Sequence, residues 1–270
     1  MCKMKVTKVS GQVGAKISDV RLGALTDVEF DAIRSALFDH GVVFFRDQTV
    51  SPTDHIALAK RFGEIDVNRF FTPVDGFPEI AEVRTNPDQG KVIGGTWHSD
   101  HSYDERPAMA SILVARELPP FGGDTLFAAQ VAAAKHVYSG LRDTLQGLNA
   151  IHSDDSFSQS IIDSIGADAF KGEISHPAII RHPQTGQEAL FVNGDFTVRF
   201  DGWTVEESRP LLDYLYRYCT QPAFSCRFRW KPGSVAIWDN RLVQHFATAD
   251  YQGHARLMHR ITVKGQALTR

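Results

Sequence analysis

Two groups of metal-ligand side chains stand far apart in this chain, and a fold that uses them together must close one end of the sequence onto the other. His98 and Asp100 belong to Trp97-His98-Ser99-Asp100, before the middle, and His245 follows Trp238-Asp239-Asn240-Arg241 near the end. On an extended segment, residues two apart point to the same side, so His98 and Asp100 have the geometry for one metal. Two imidazoles and one carboxylate on one face of an ion suit Fe(II) and leave the opposite positions free for a cosubstrate and O2.

The rest of the chain predicts a β-rich frame. Val42–Phe45, Ser111–Ala115, Ala178–Ile180 and Val235–Trp238 are apolar runs of strand length, and Cys226–Trp230 alternates with period two. His182–Gly186 reads as the turn of a hairpin between Ala178–Arg181 and Glu188–Val192. Three helix starts are visible: capping boxes at Thr26–Glu29 and Thr204–Glu207, and Ser51-Pro52, with Gly63 placed to close the helix that Pro52 opens. Short strands following a helical N-terminal part predict a sandwich or jelly roll padded by helices.

Bulk properties narrow the partners. The 270 residues fit one domain, 1–270, without a low-complexity linker. A formal net charge of −3 offers no basic footprint for nucleic acid. No stretch approaches the about 20 apolar residues of a membrane span, and the N-terminus lacks the apolar core of a secretory signal. Cys2, Cys219 and Cys226 form no Cys-x-x-Cys and cannot all pair, which is the pattern of reduced thiols in a cytoplasmic protein.

The motifs around the ligands carry a resemblance. Trp97-His98-Ser99-Asp100, Gly122-Gly123-Asp124-Thr125, and Trp238–Arg241 with His245, Arg256 and Arg260 resemble the taurine dioxygenase family, as do Gly41–Gln48 and Phe62-Gly63-Glu64. The resemblance implies a double-stranded β-helix and an oxygenase dependent on Fe(II) and 2-oxoglutarate, in which His98, Asp100 and His245 hold the iron. It also implies that Arg256 takes the far carboxylate of 2-oxoglutarate, where a guanidinium fork suits bidentate binding, with Thr125 assisting. Arg260, four residues on, matches the arginine that binds the substrate sulfonate in taurine dioxygenase. It is assigned here to an anionic substrate group or to the inner carboxylate of 2-oxoglutarate, the alternative being a structural arginine behind the ligands.

Around the expected substrate pocket the chain departs from taurine dioxygenase. Asn68 stands where that enzyme has a substrate-contacting His, Phe71 where it has a Tyr, and Gly94 where it has an Asn, while Ser156-Phe157 matches its Ser-Phe pair. Three lost polar contacts argue against taurine, whose ammonium would lose partners, and for a small organic anion with an apolar or aromatic body. The expected reaction is hydroxylation of a C–H, with cleavage when that carbon carries a sulfonate, sulfate or aryloxy group. Hydroxylation of an amino acid or natural-product intermediate without cleavage is the second reading, and a non-catalytic metal-binding β-helix a remote third. Family members are often dimers or tetramers, which sets the expectation of a homo-oligomer.

Overall fold

The computed structural model describes residues 4–89, 92–155 and 172–270. The first part runs β1 (Lys5–Lys8), β2 (Ala15–Ser18), α1 (Asp27–His40), β3 (Val42–Phe45), α2 (Pro52–Phe62), β4 (Ile65–Asp66), β5 (Pro73–Val74), β6 (Phe77–Thr85) and β7 (Ala110–Glu117). There follow β8 (Thr125–Ala129), α3 (Gln130–His136), α4 (Ser139–Gly147), β9 (Asn149–Ser153), β10 (Glu173–Pro177), β11 (Ile179–Arg181), β12 (Glu188–Leu190) and β13 (Thr197–Phe200). The last part is α5 (Val205–Cys219), β14 (Ser225–Phe228), β15 (Val235–Asp239), β16 (Val243–Ala247) and β17 (Arg256–Val263).

A nine-stranded sheet in the order β1-β2-β3-β15-β7-β17-β6-β5, with β4 also on β17, faces a smaller sheet β14-β8-β16. The result is the expected jelly roll with flanking helices. Side-chain alternation builds two cores from the same strands. Val42, Phe44, Leu113, Ala236, Trp238 and Met258 point between the sheets, against Phe127 and Val243 of the smaller one. Val43, Phe45, Ile112, Val114, Val235, Ile237 and Ile261 point the other way, onto Phe30, Ile33 and Leu37 of α1 and Leu58 of α2. Burial on both faces is why these strands read as continuous apolar runs.

The helix signals hold. The Thr26, Ser51 and Thr204 side chains each accept from the backbone N–H three residues on, and the carboxylates at those third positions reach back. The hairpin β11–β12 has the expected register, Ile179 opposite Leu190. One local expectation fails: the ligand pair does not lie on a continuous strand. His98 makes a single bridge to His245, and the chain then turns at Asp100. Cys219 and Cys226 are buried free thiols, both pushed up to about 12 by that burial.

Candidate active site

The first two ligand residues meet through the backbone. The His98 N–H donates to the His245 carbonyl at 3.1 Å, and the His245 N–H returns a bond to the His98 carbonyl at 2.8 Å. Directly paired residues in an antiparallel ladder present their side chains on one face, and the two imidazole centroids lie 4.1 Å apart. His98 Nδ1 donates to the Thr96 carbonyl at 2.8 Å, which leaves Nε2 as the lone-pair nitrogen aimed at Asp100. The His98 Nε2 to Asp100 Oδ1 distance is 3.7 Å and His245 Nε2 to Asp100 Oδ2 is 3.9 Å. All three candidate ligand atoms fall within 4.8 Å of one another, buried, at one end of the roll.

Asp100 is held by three partners. Ser111 Oγ donates to Oδ2 at 2.6 Å, Arg260 Nη1 donates to Oδ1 at 3.0 Å, and the Asp100 N–H donates to Asn240 Oδ1 at 3.1 Å. Asn240 in turn donates through Nδ2 to Ser111 Oγ and accepts from the Trp238 indole. Burial alone would raise the Asp100 pKa, but Arg260 and the neighbouring histidines hold the carboxyl well below the usual range. His245 is driven down to about 3 by burial and by the neighbouring His98, so at neutral pH its ring is an unprotonated donor. An ionised Asp100 carboxylate beside an unprotonated His245 ring suits a divalent ion.

Arg256 and Arg260 project from β17 into the same space, as their even spacing predicts. They differ in partners. Arg260 is committed to Asp100, whereas Arg256, only 4% exposed, has no hydrogen bond or ion pair among the described residues, and its Nε is unsatisfied. Gly123 makes room for it, because a Cβ there would stand 3.2 Å from Arg256 Cδ and 3.3 Å from Nε. Gly123 itself sits at φ +65° and is tied down by its N–H to Asp250 Oδ1 at 2.9 Å. Thr125 starts β8 nearby, buried; its hydroxyl accepts from the Trp230 indole at 3.0 Å, leaving its own proton to donate. Asp124 lends Arg256 some distant negative charge, but a buried cation with no hydrogen-bonded counter-charge among the described residues is costly, so this cradle fits a bound anion. The donor set therefore matches iron with a chelating dianion.

Of the pocket residues, Phe71 lies 4.8 Å from the Arg260 guanidinium, stacked beneath it. Gly94, at φ +78°, packs where a Cβ would meet His98 Cε1 at 3.2 Å, so it shapes the ligand's surroundings as well as the pocket. Asn68 differs from the expectation of a substrate contact: its Oδ1 accepts from the Phe70 and Phe71 N–H groups, and its Nδ2 approaches His101 Nε2. Ser156 and Phe157 lie outside the described residues. His101, expected behind the ligands or on the surface, is buried and joins Asp66 and Asp104 in a second His-carboxylate group. That group carries its own cation, Arg69, 3.4 Å from Asp104. Sequence alone assigns Asn240 only a role in the turn before His245, not its contacts to Asp100 and Ser111, and it reads Ser111 only as the start of a strand run.

A jelly roll that gathers two imidazoles, a carboxylate and an unpaired arginine at one end has the architecture of a mononuclear non-haem oxygenase. The chain belongs to the taurine catabolism dioxygenase TauD, TfdA family, whose description it matches over residues 5–262. It is 33% identical to an alpha-ketoglutarate-dependent sulfate ester dioxygenase of Pseudomonas putida, over 98% of this chain and 90% of that one. An alkylsulfatase of Acinetobacter baylyi is 30% identical over 99% of this chain and 87% of its own. The crystal structure of a taurine dioxygenase from Burkholderia xenovorans superposes with a TM-score of 0.86 at 32% identity, covering 98% of this chain and 92% of that one. The protein is accordingly an Fe(II)/2-oxoglutarate-dependent dioxygenase.

Proposed function

We propose that this enzyme hydroxylates a small organic anion with an apolar body, with sulfate esters and sulfonates as the first class and aryloxyalkanoates next, and that hydroxylation next to the heteroatom leads to bond cleavage. The observation that carries the reading is Arg256: a buried guanidinium with no hydrogen bond or ion pair among the described residues, beside a His98–Asp100–His245 group, fits an anion, and 2-oxoglutarate supplies one. His98, Asp100 and His245 would hold Fe(II), and Arg256 with Thr125 would take the far carboxylate of 2-oxoglutarate. When bound, the iron couples O2 and the decarboxylation of 2-oxoglutarate to succinate and CO2 with insertion of a hydroxyl into a substrate C–H.

The chain's own residues do the positioning. Arg260 sits where one guanidinium edge stays on Asp100 and the rest can face a substrate anion, while Phe71 supplies an apolar flank. Held this way, a target C–H is presented in one orientation and the cost of alignment is met by binding. With an alkyl sulfate, hydroxylation of the carbon bearing the ester oxygen gives an unstable adduct that collapses to an aldehyde and sulfate. Relatives acting on sulfate esters support that class, and Phe71 and Gly94 in place of polar pocket residues argue against taurine itself.

We further read residues 1–270 as one domain of a cytoplasmic homodimer or homotetramer that binds no nucleic acid; among the described residues no helix is long and apolar enough to cross a membrane. The test is succinate formation from Fe(II)-loaded protein, 2-oxoglutarate and O2 with panels of sulfate esters, sulfonates, aryloxy acids and amino acids. Release of sulfate with one equivalent of succinate is the expected result. Stimulation by amino acids alone, with one oxygen added and nothing released, would replace this reading with hydroxylation without cleavage.

A further inference from the structure

Asp100 is followed by a residue for which the reaction has no use. His101 adopts φ +57°, a conformation that a non-glycine residue keeps only where its surroundings over-determine it. Those surroundings are specific. The ring is buried; its Nδ1 lies 2.9 Å from Asp66 Oδ2 and 3.4 Å from Asp104 Oδ2, and its Nε2 lies 3.4 Å from Asn68 Nδ2. Tyr103 stacks on its face with ring centroids 5.6 Å apart.

From Asn68 the path continues. Its Oδ1 accepts the N–H groups of Phe70 at 2.8 Å and Phe71 at 3.1 Å, closing the turn that presents the Phe71 ring. That ring lies under the Arg260 guanidinium at 4.8 Å, and Arg260 donates to Asp100. The circuit leaves Asp100 through the main chain into His101 and returns to the Asp100 carboxylate. Asp66 anchors its other side, because β4 pairs with β17 at Thr262, two residues from Arg260.

We propose that His101 is a positioning residue that locks the Asn68–Phe71 turn, so that Phe71 and Arg260 face the substrate anion in one fixed arrangement. An imidazole is suited to this because it presents polar atoms in two opposed directions on a rigid ring, one toward the carboxylates and one toward the Asn68 amide. The inference rests on the reading that the substrate anion binds at Arg260, and it adds the residue that sets how narrowly the pocket selects.

Two variants test it from opposite ends of the circuit. His101→Asn accepts the left-handed backbone but is too short to span Asp66 and Asn68, and Asp66→Ala removes the anchor. Hydrogen exchange on the metal-free protein is read first. The amides of Phe70 and Phe71 are expected to exchange about tenfold faster in both variants, while α2 exchanges at the wild-type rate. Kinetics follow: the KM for the sulfate ester is expected to rise about tenfold and the preference among chain lengths to flatten, with the KM for 2-oxoglutarate unchanged. Unchanged exchange at Phe70 and Phe71 overturns the lock. Faster exchange with an unaltered KM for the sulfate ester overturns its role in selection. Wild-type protein that turns over no sulfate ester counts against the proposed substrate, and the exchange result still decides the lock.

Discussion

Two buried ionic clusters lie at opposite ends of the short turn between β15 and β16, and they are built on opposite principles. At one end, Asp239 accepts the backbone N–H, Nε and Nη2 of Arg241 at 2.9, 2.9 and 2.6 Å, and His182 Nε2 at 3.1 Å. At the other end stand Asp100, Arg260, His245 and Arg256, where His245 Nδ1 and the Nε atoms of both arginines have no hydrogen-bond partner among the described residues. Burial opposes the charge on both carboxylates, and adjacent arginines hold both well below the usual range. The Asp239 cluster is complete without a ligand. The Asp100 cluster is incomplete in the positions where iron and 2-oxoglutarate would bind. Between these two clusters, unsatisfied polar atoms, more than the presence of buried charge, set the Asp100 cluster apart.

The comparison breaks most sharply at Asp239. Asp239→Asn leaves Arg241 buried and undercompensated, and a loss of about 3–5 kcal/mol in denaturant unfolding is expected. Arg256→Met should do the reverse. The KM for 2-oxoglutarate rises about 100-fold, because a charge-assisted bond is worth roughly 2–5 kcal/mol, while stability stays level or rises. An Arg256→Met protein that unfolds as readily as Asp239→Asn would show that the two clusters are not different in kind. Asn240→Ala sharpens the boundary between them, since Asn240 orients Asp100 without touching a bound ion. Fe(II) or Mn(II) titration should show affinity lower by about 10–100-fold.

The smallest effect is expected on the helix-covered face of the large sheet. His55 is fully buried there, donating through Nε2 to the Ile112 carbonyl of β7 at 3.2 Å, and burial drives it down to about 3. The unfolded chain, with an ordinary histidine, takes up that proton as pH falls below about 6.5 while the folded state does not, so stability falls with acidification until about pH 3. Between pH 6.5 and 5.5 the loss is about 1 kcal/mol, and His55→Leu should flatten it by one proton's worth of slope.

Much of this was legible because it is local. Capping boxes need four consecutive residues, and the doubly buried strands announce themselves as apolar runs such as Val42–Phe45. The grouping of His98, Asp100 and His245 was legible through motif and order, Arg256 through its match to the family pattern, and the common direction of Arg256 and Arg260 through their even spacing on a strand. What stayed hidden depends on contacts between distant segments. Nothing near Ser111 says that its hydroxyl meets Asp100, and nothing near His182 says that it meets Asp239. By sequence His101 falls either behind the ligands or on the surface, because a positive φ cannot be read from His-Ser-Tyr; the structure buries it behind Asp100. Asn68 was read by position as a pocket side chain, when its amide oxygen serves its own turn.

The backbone bridge between His98 and His245 has a consequence for the life of the protein before it is complete. A growing polypeptide that has left the ribosome as far as β15 already displays His98 and Asp100, but it lacks the strand that pairs with them. Iron can therefore be captured tightly only by a finished molecule, in which the β17 arginines are also in place. A prematurely terminated product ending before His245 would be expected to hold the metal weakly.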